Sequence, residues 1–592
     1  MVRAATPDVQ EFLPPLLPWQ GASEQVLENV PSDWRTPAEI SGFRTTPSYA
    51  ATIDFLKRLD RASSLISMRE IGRTPQGRPL WLVVATRDPR HDFDSLRRSP
   101  RARVLVQAGI HAGEIDGKDA GLMLLRDIVT GRRADVLDRS TLLFVPVYSP
   151  DGHERVSEHG RVNQRGPENA GWRTTARNLN LNRDYTKLEA AESRALVKLI
   201  NDADPDLYID LHVTDGHDQQ YDVTYAFNAS EPWSPAGSQW LAETFAPPVV
   251  SGLKAAGHVP GPFYDFKDAT LPSAGLLDGR GIARFSTGYG DLRHLPTVLV
   301  ENHSLKPYRR RVLGTYVFLE QALRAAGTNV DSLRKAIATD RGRRMDPLPI
   351  VFTTGDQPTR TEDFLGIAWE NYDSPISGKR QVRYLGKPLT QKLPVYTDQA
   401  TVSVARPVAY WIPPQWADIG AQLRQHGIRV DRIDAPVKKS LRYYRLRGPH
   451  LGAAANEGRA MVSIEGVTSE VQEEVWPAGS LHISTDQPLG DLAIVMLEPQ
   501  SEDSLFAWGY LLEPLQRTEY LEGYVLEPMA RKMLADDPAL AAAWKEALRD
   551  PQFAADPIRR LTWFYERAGF GDERYLLYPI AREQSHDPIA RE

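Results

Sequence analysis

The sequence predicts an α/β fold, a mostly parallel (mixed) sheet sandwiched by helices, followed by a C-terminal β-rich region that ends in helices. Three observations carry this. Strand-like and helix-like segments alternate from about residue 48 to 335, the order that builds parallel sheets. Several strands, RARVLVQAGI and TLLFVPVY among them, are apolar on nearly every residue, so both of their faces must be covered. Beyond that block the pattern changes to short β-like runs broken by Pro, Gly and Asp.

In chain order, residues 1–44 are rich in proline and polar residues and read as an N-terminal arm. SYAATIDFLKRLDRAS, from Ser48, has apolar residues at helical spacing, and RPLWLVVAT follows as a buried strand. RARVLVQAGI is a strand, DGKDAGLMLLRDIVTG a helix, TLLFVPVY a strand, EAAESRALVKLIND a helix and DLYIDLHV a strand. TVLVEN and the helix RRVLGTYVFLEQALRAAG complete a domain over 45–335. Residues 336–592 form an accessory region, with strands at QVRYL, LPVYT, TVSVA and AYWIPP. From about Gln516 helices return in EYLEGYVLEPMARKML, PALAAAWKEAL and DPIRRLTWFYERAG. The basic run KKSLRYYRLR (438–447) reads as a solvated strand face.

Composition narrows the chemistry. There is no cysteine, so disulfides, thiolate ligands and cysteine nucleophiles are excluded, and any metal must be held by histidine and carboxylate. The formal charge of −6 gives nucleic acid and anionic membranes no electrostatic footing. No run of about 18 apolar residues predicts a membrane span. MVRAATPDVQEFLPPLLPWQG lacks the apolar stretch of a secretory signal. The expectation is an exported protein whose leader is absent from this chain, or else a cytoplasmic one.

Three strands deliver polar side chains to one rim. VLVQAGI runs into His111-Ala-Gly-Glu114, YIDL into His212, and TVLV into Glu301. In open α/β sheets, ligands bind beyond the carboxyl ends of the strands. His111 at a strand end and Glu114 in the turn before a helix can face one point, and His212 completes a His–Glu–His set. Three protein ligands leave the fourth position open, as in a catalytic zinc site. In DLYIDLHV, Leu207, Ile209, Leu211 and Val213 share one face and Tyr208, Asp210 and His212 the other. Asp215, His217 and Asp218 follow in a polar loop as rival ligands.

GIHAGE, the loop GWRTTARNLNLNRDY, the strand IDLH and the strand VLVEN occur in the order of the zinc carboxypeptidase family, which residues 45–330 resemble. The resemblance implies one Zn2+ per chain on His111, Glu114 and His212. It implies Trp172-Arg173 as the pair whose arginine polarises the scissile carbonyl, with Arg165 and Arg177 as competitors in the same loop. It implies Asn182-Arg183 as the grip on a substrate's terminal carboxylate, and Glu301 as the general base. Chemistry agrees: a carboxylate off the metal must move the proton, and a guanidinium fork matches a carboxylate. Two positions depart from the family. Asn180 stands where an aspartate often orients the first zinc histidine. The mobile tyrosine expected about two dozen residues before the base is missing from LLDGRGIARF, which leaves Tyr289 as a candidate substrate contact. The expected activity is hydrolysis of C-terminal peptide bonds in peptides with a free carboxylate. Alternatives are a zinc amidohydrolase acting on N-acyl amino acids or cell-wall peptides, and a non-catalytic binding relic of the fold.

Overall fold

The computed structural model describes residues 8–517, 522–569 and 571–584. Its centre is an eight-stranded sheet of β1 (Ile66–Arg73), β2 (Pro79–Ala85), β3 (Ala102–Ala108), β4 (Ser140–Val145), β5 (Leu207–Thr214), β6 (Val223–Ala226), β7 (Pro260–Pro262) and, after the short strands β8 (Asp265–Phe266) and β9 (Leu276–Asp278), β10 (Thr297–His303). The spatial order is β1-β2-β4-β3-β5-β10-β6-β7. Four of the seven pairings are parallel, and they include the central block β4-β3-β5-β10.

The central strands are apolar on both alternations because both faces are covered. Helices α1 (Tyr49–Ala62), α2 (Asp116–Val129), α3 (Ala191–Ala203), α4 (Ser286–Leu292) and α5 (Tyr308–Thr328) do the covering. Val104, Val106, Ile209 and Leu211 pack with Leu122 and Leu125 of α2 and Leu313 of α5. Leu105, Leu143 and Tyr208 point the other way, to Leu196 and Ile200 of α3 and Leu292 of α4. Helix α1 starts where Ser48 caps the Ala51 N–H, a preferred N-cap residue at the predicted boundary.

Residues 8–44 of the predicted arm lie against this body in short helical turns, while residues 1–7 lie outside the described residues. Trp19 Nε1 donates to the Gly257 carbonyl at 2.8 Å, and its ring is 5.3 Å from that of His258.

The C-terminal region is β-rich, but it does not stand apart. Strands β11 (Leu348–Thr354), β12 (Arg360–Asp373) and β13 (Arg380–Val404) build a sheet ordered β11-β13-β9-β8, with β12 also on β13. Val395 pairs with Leu276 and Thr397 with Asp278, so one sheet spans the two sides of residue 335. A six-stranded sheet follows, running from Ala409–Ile412 to Ala581–Glu583. KKSLRYYRLR lies in its strand Val437–Arg447, with Lys438 and Arg445 paired to Glu473 and Glu470 of the neighbouring strand. Helices Gly523–Asp536, Pro538–Ala547 and Pro557–Tyr565 close on a cluster containing Leu526, Trp544, Trp563 and Phe564. Residues 519–521 of the predicted helix EYLEGYVLEPMARKML lie outside the described residues. No described helix is long and apolar enough to cross a membrane.

Candidate active site

Parallel pairing puts the carboxyl ends of β3, β5 and β10 on one edge, and register sets Glu301 directly beside His212. The chain leaves β3 through Gly109 at φ +71, a conformation that favours glycine. A tight turn follows, closed by Glu114 N–H donating to the His111 carbonyl at 2.9 Å. Gly113 has a steric reason to be glycine. An added Cβ would lie 2.5 Å from Arg161 Cγ and 2.7 Å from the Gly171 carbonyl, because the 161–171 loop packs straight onto this turn.

His111, Glu114 and His212 are buried, and one ligand atom from each lies within 4.8 Å of the others. It is the one convergent group of three or more His, Asp or Glu among the described residues. His111 Nδ1 is 2.9 Å from Glu114 Oε1, and His212 Nδ1 is 3.0 Å from Glu114 Oε2. The outer nitrogens are anchored: His111 Nε2 to Asn180 Oδ1 at 3.1 Å, and His212 Nε2 to Asp210 Oδ2 at 2.9 Å. Donating at Nε2 fixes the ring and turns the Nδ1 lone pair inward, as a metal ligand requires. Two imidazoles and a carboxylate suit zinc. Burial alone would raise the Glu114 carboxyl, but His111 and Arg161 outweigh it and hold its pKa well below the usual range. The two outer partners separate the histidines. Burial lowers His111, whose anchor Asn180 is neutral. His212 is pulled well above its ordinary value, because Asp210 and then Glu301 outweigh burial.

Asp210 is in turn held by Gln107 Nε2 at 2.7 Å, and Tyr208 donates to Gln107 Oε1 at 2.7 Å. The polar face of β5 is therefore one hydrogen-bonded column behind the site. The rivals in the following loop go elsewhere. His217 Nδ1 meets Tyr384 at 3.0 Å, Asp215 pairs with Arg161 at 3.3 Å, and Asp218 is 3.1 Å from His303.

Glu301 Oε2 is shielded from solvent and has no hydrogen-bond partner. Burial, reinforced by Glu114, raises its pKa to about 8 against the pull of His212. Arg173 reaches to 3.5 Å from Glu114 Oε1 and remains partly exposed. Its competitors are placed otherwise: Arg165 bonds the Pro14 carbonyl, and Arg177 points to solvent. Sequence reasoning missed Arg161. Its buried guanidinium is 3.1 Å from Glu114 Oε1 and donates to the Val213 carbonyl at 3.0 Å. Only the loop's fold back onto Gly113 reveals it.

Asn182 and Arg183 lie in a single helical turn, Leu181–Arg183. Arg183 stacks 4.3 Å from the Phe285 ring and bonds the Asn182 carbonyl at 2.8 Å, and no carboxylate among the described residues pairs with it. Asn182 Oδ1 is buried without a partner. Tyr289 is not brought to this rim. It lies inside α4, 1 % exposed, its hydroxyl 2.7 Å from His426 Nδ1 and accepting from Arg293 at 3.1 Å. Nearness to Glu301 in sequence suggested a contact that helix packing turns inward.

Residues 52–247 match the zinc carboxypeptidase family. The chain carries a zinc carboxypeptidase domain and is a metallopeptidase of that type. "Carboxypeptidase 2" of Trichophyton rubrum is 25% identical over 486 residues, covering 77% of this chain and 82% of that protein. "Carboxypeptidase Z" of Gallus gallus is 29% identical over 180 residues, 28% of this chain and 26% of that one. Among solved structures, a metallo-carboxypeptidase from Burkholderia cenocepacia aligns with TM-score 0.34 and 18% identity over 48% of this chain and 70% of that one. The carboxypeptidase A of Helicoverpa armigera aligns with TM-score 0.35 and 14% identity over 50% and 75%.

Proposed function

We propose that this carboxypeptidase-type enzyme removes C-terminal residues from peptides, with zinc held by His111 Nδ1, Glu114 and His212 Nδ1. The bound zinc would supply Lewis acidity, polarising the peptide carbonyl and acidifying water. Glu301 takes a proton from the attacking water and returns it to the leaving amine, as an unligated carboxylate raised toward neutrality is suited to do. Arg173 offers a fixed positive charge to the developing oxyanion. Arg161 keeps Glu114 ionised and fixed in place through its own contact to the Val213 carbonyl.

The observation that carries the exopeptidase reading is the pair Asn182 and Arg183. The Arg183 guanidinium has no carboxylate partner among the described residues and packs against Phe285, and the Asn182 side-chain NH2 beside it is a further donor. A largely buried guanidinium normally has an anionic partner, and its planar fork matches a substrate carboxylate. Arg183→Ala should cost about 2–5 kcal/mol in kcat/KM on free peptides, the range for truncating one side of a buried charge pair. Amidating the peptide's C-terminus should cost the wild type a similar amount and Arg183→Ala almost nothing, the non-additivity that marks direct contact. Steady-state kinetics of both proteins on both peptides measure this. Equal cleavage of the two peptides by the wild type would favour an endopeptidase and leave the zinc assignment standing.

A further inference from the structure

The turn that carries Asn182 and Arg183 is held from outside by the C-terminal region. Glu457 Oε2 accepts from the Asn180 backbone N–H at 2.8 Å. Glu457 and Gly458 have φ +48 and +80 in a tight turn closed by Arg459 N–H donating to the Asn456 carbonyl at 3.0 Å. Arg459 pairs with Glu189 at 2.5 Å and stacks 3.8 Å from the Tyr510 ring. Tyr510 donates to the Lys187 carbonyl at 3.2 Å. The Asn456–Arg459 turn is therefore fastened at both ends of the 180–189 segment.

Asn180 is where these constraints meet. Its Oδ1 accepts from His111 Nε2 and, at 2.9 Å, from Asn182 N–H, while its own N–H is held by Glu457. A shift of the Asn180 backbone would move a histidine of the metal site and the arginine turn together. We propose that Glu457 is a positioning residue which fixes Asn180, and through it both His111 and the Arg183 carboxylate grip, so that the C-terminal region completes the active site. The proposal rests on the carboxypeptidase reading above. The stabilising element is geometric: a carboxylate oxygen accepting a backbone N–H, which an amide oxygen can also do.

The test uses the full-length zinc-loaded protein and the variants Glu457→Ala and Glu457→Gln. KM and kcat are measured on one peptide with free and amidated C-termini, and zinc affinity by competition with a chelator. Glu457→Ala should raise KM for the free peptide about tenfold, the scale of a lost hydrogen bond to a charged group. It should leave KM for the amidated peptide nearly unchanged, and weaken zinc about tenfold, the lower end for loss of an outer-shell contact. Glu457→Gln should stay within about threefold of wild type on both counts, because its amide oxygen still accepts. Wild-type KM in Glu457→Ala would overturn the proposal. So would a lowered KM, which would mean that Glu457 competes with substrate for Arg183, and so would a Glu457→Gln variant as impaired as Glu457→Ala. If the wild type does not distinguish free from amidated peptides, the carboxypeptidase reading fails, and the zinc affinities alone decide Glu457.

Discussion

Burial raises the Glu301 carboxyl to about 8, and its Oε2 has no partner, so small changes of charge nearby move its proton. A cation at His111, Glu114 and His212 would draw its pKa down toward the working range of a general base. Glu301→Gln keeps the shape and touches no proposed ligand. The expected outcome is unchanged zinc by metal analysis and a kcat lower by about 10²-fold or more. Near-wild-type turnover with zinc present would move the base to another carboxylate. At this scale the sequence was legible where a short-range rule applied. Alternation along β5 separated Asp210 and His212 from Leu207, Ile209 and Leu211, and the structure keeps that separation. Arg161 was not legible, because nothing local distinguishes it from the other arginines of a polar loop. Tyr289 misled because distance along the chain says nothing about which way a helix turns its side chains.

Helix α3 shows what an element's pattern conceals. EAAESRALVKLIND reads as a helix, and nothing in its pattern marks Glu192 in the first turn as special. The structure buries Glu192 completely and leaves both carboxylate oxygens without partners. Burial, with Asp151 and Asp184 adding to it, raises its pKa to about 7. The folded protein then binds this proton more tightly than the unfolded chain, so stability falls as pH rises from about 4.5 through about 7, by about 3 kcal/mol in all. Glu192→Gln removes the titration. The variant should match wild type near pH 4.5 in chemical denaturation and exceed it above pH 7. An identical pH dependence in the two proteins would show that Glu192 is compensated in the folded state. The helices were legible because they are long and periodic, and the central strands because they are unbroken apolar runs. β8 and β9 are two and three residues long and left no periodic signal.

Over the whole molecule, a boundary at residue 335 follows the change of pattern, but the fold is stitched across it. β9 pairs with β13, and Leu196 and Ile200 share a core with Ile412, Leu423 and Leu492. A fragment ending at residue 335 would expose this apolar surface and an unpaired strand edge. It should aggregate or unfold without a cooperative transition in calorimetry, while the full chain melts cooperatively; a soluble, cooperatively folding fragment would show the N-terminal part to be autonomous. Composition changes are visible in a sequence, whereas strand pairing across more than a hundred residues is not. The bond from Asn180 to Glu457 spans 277 residues. A ribosome adding about 5–20 residues per second needs on the order of 15–55 s to cover that distance. During that interval the histidines and the arginine turn already exist in the nascent chain without their outer brace, so the peptidase is assembled last at the place where it would act.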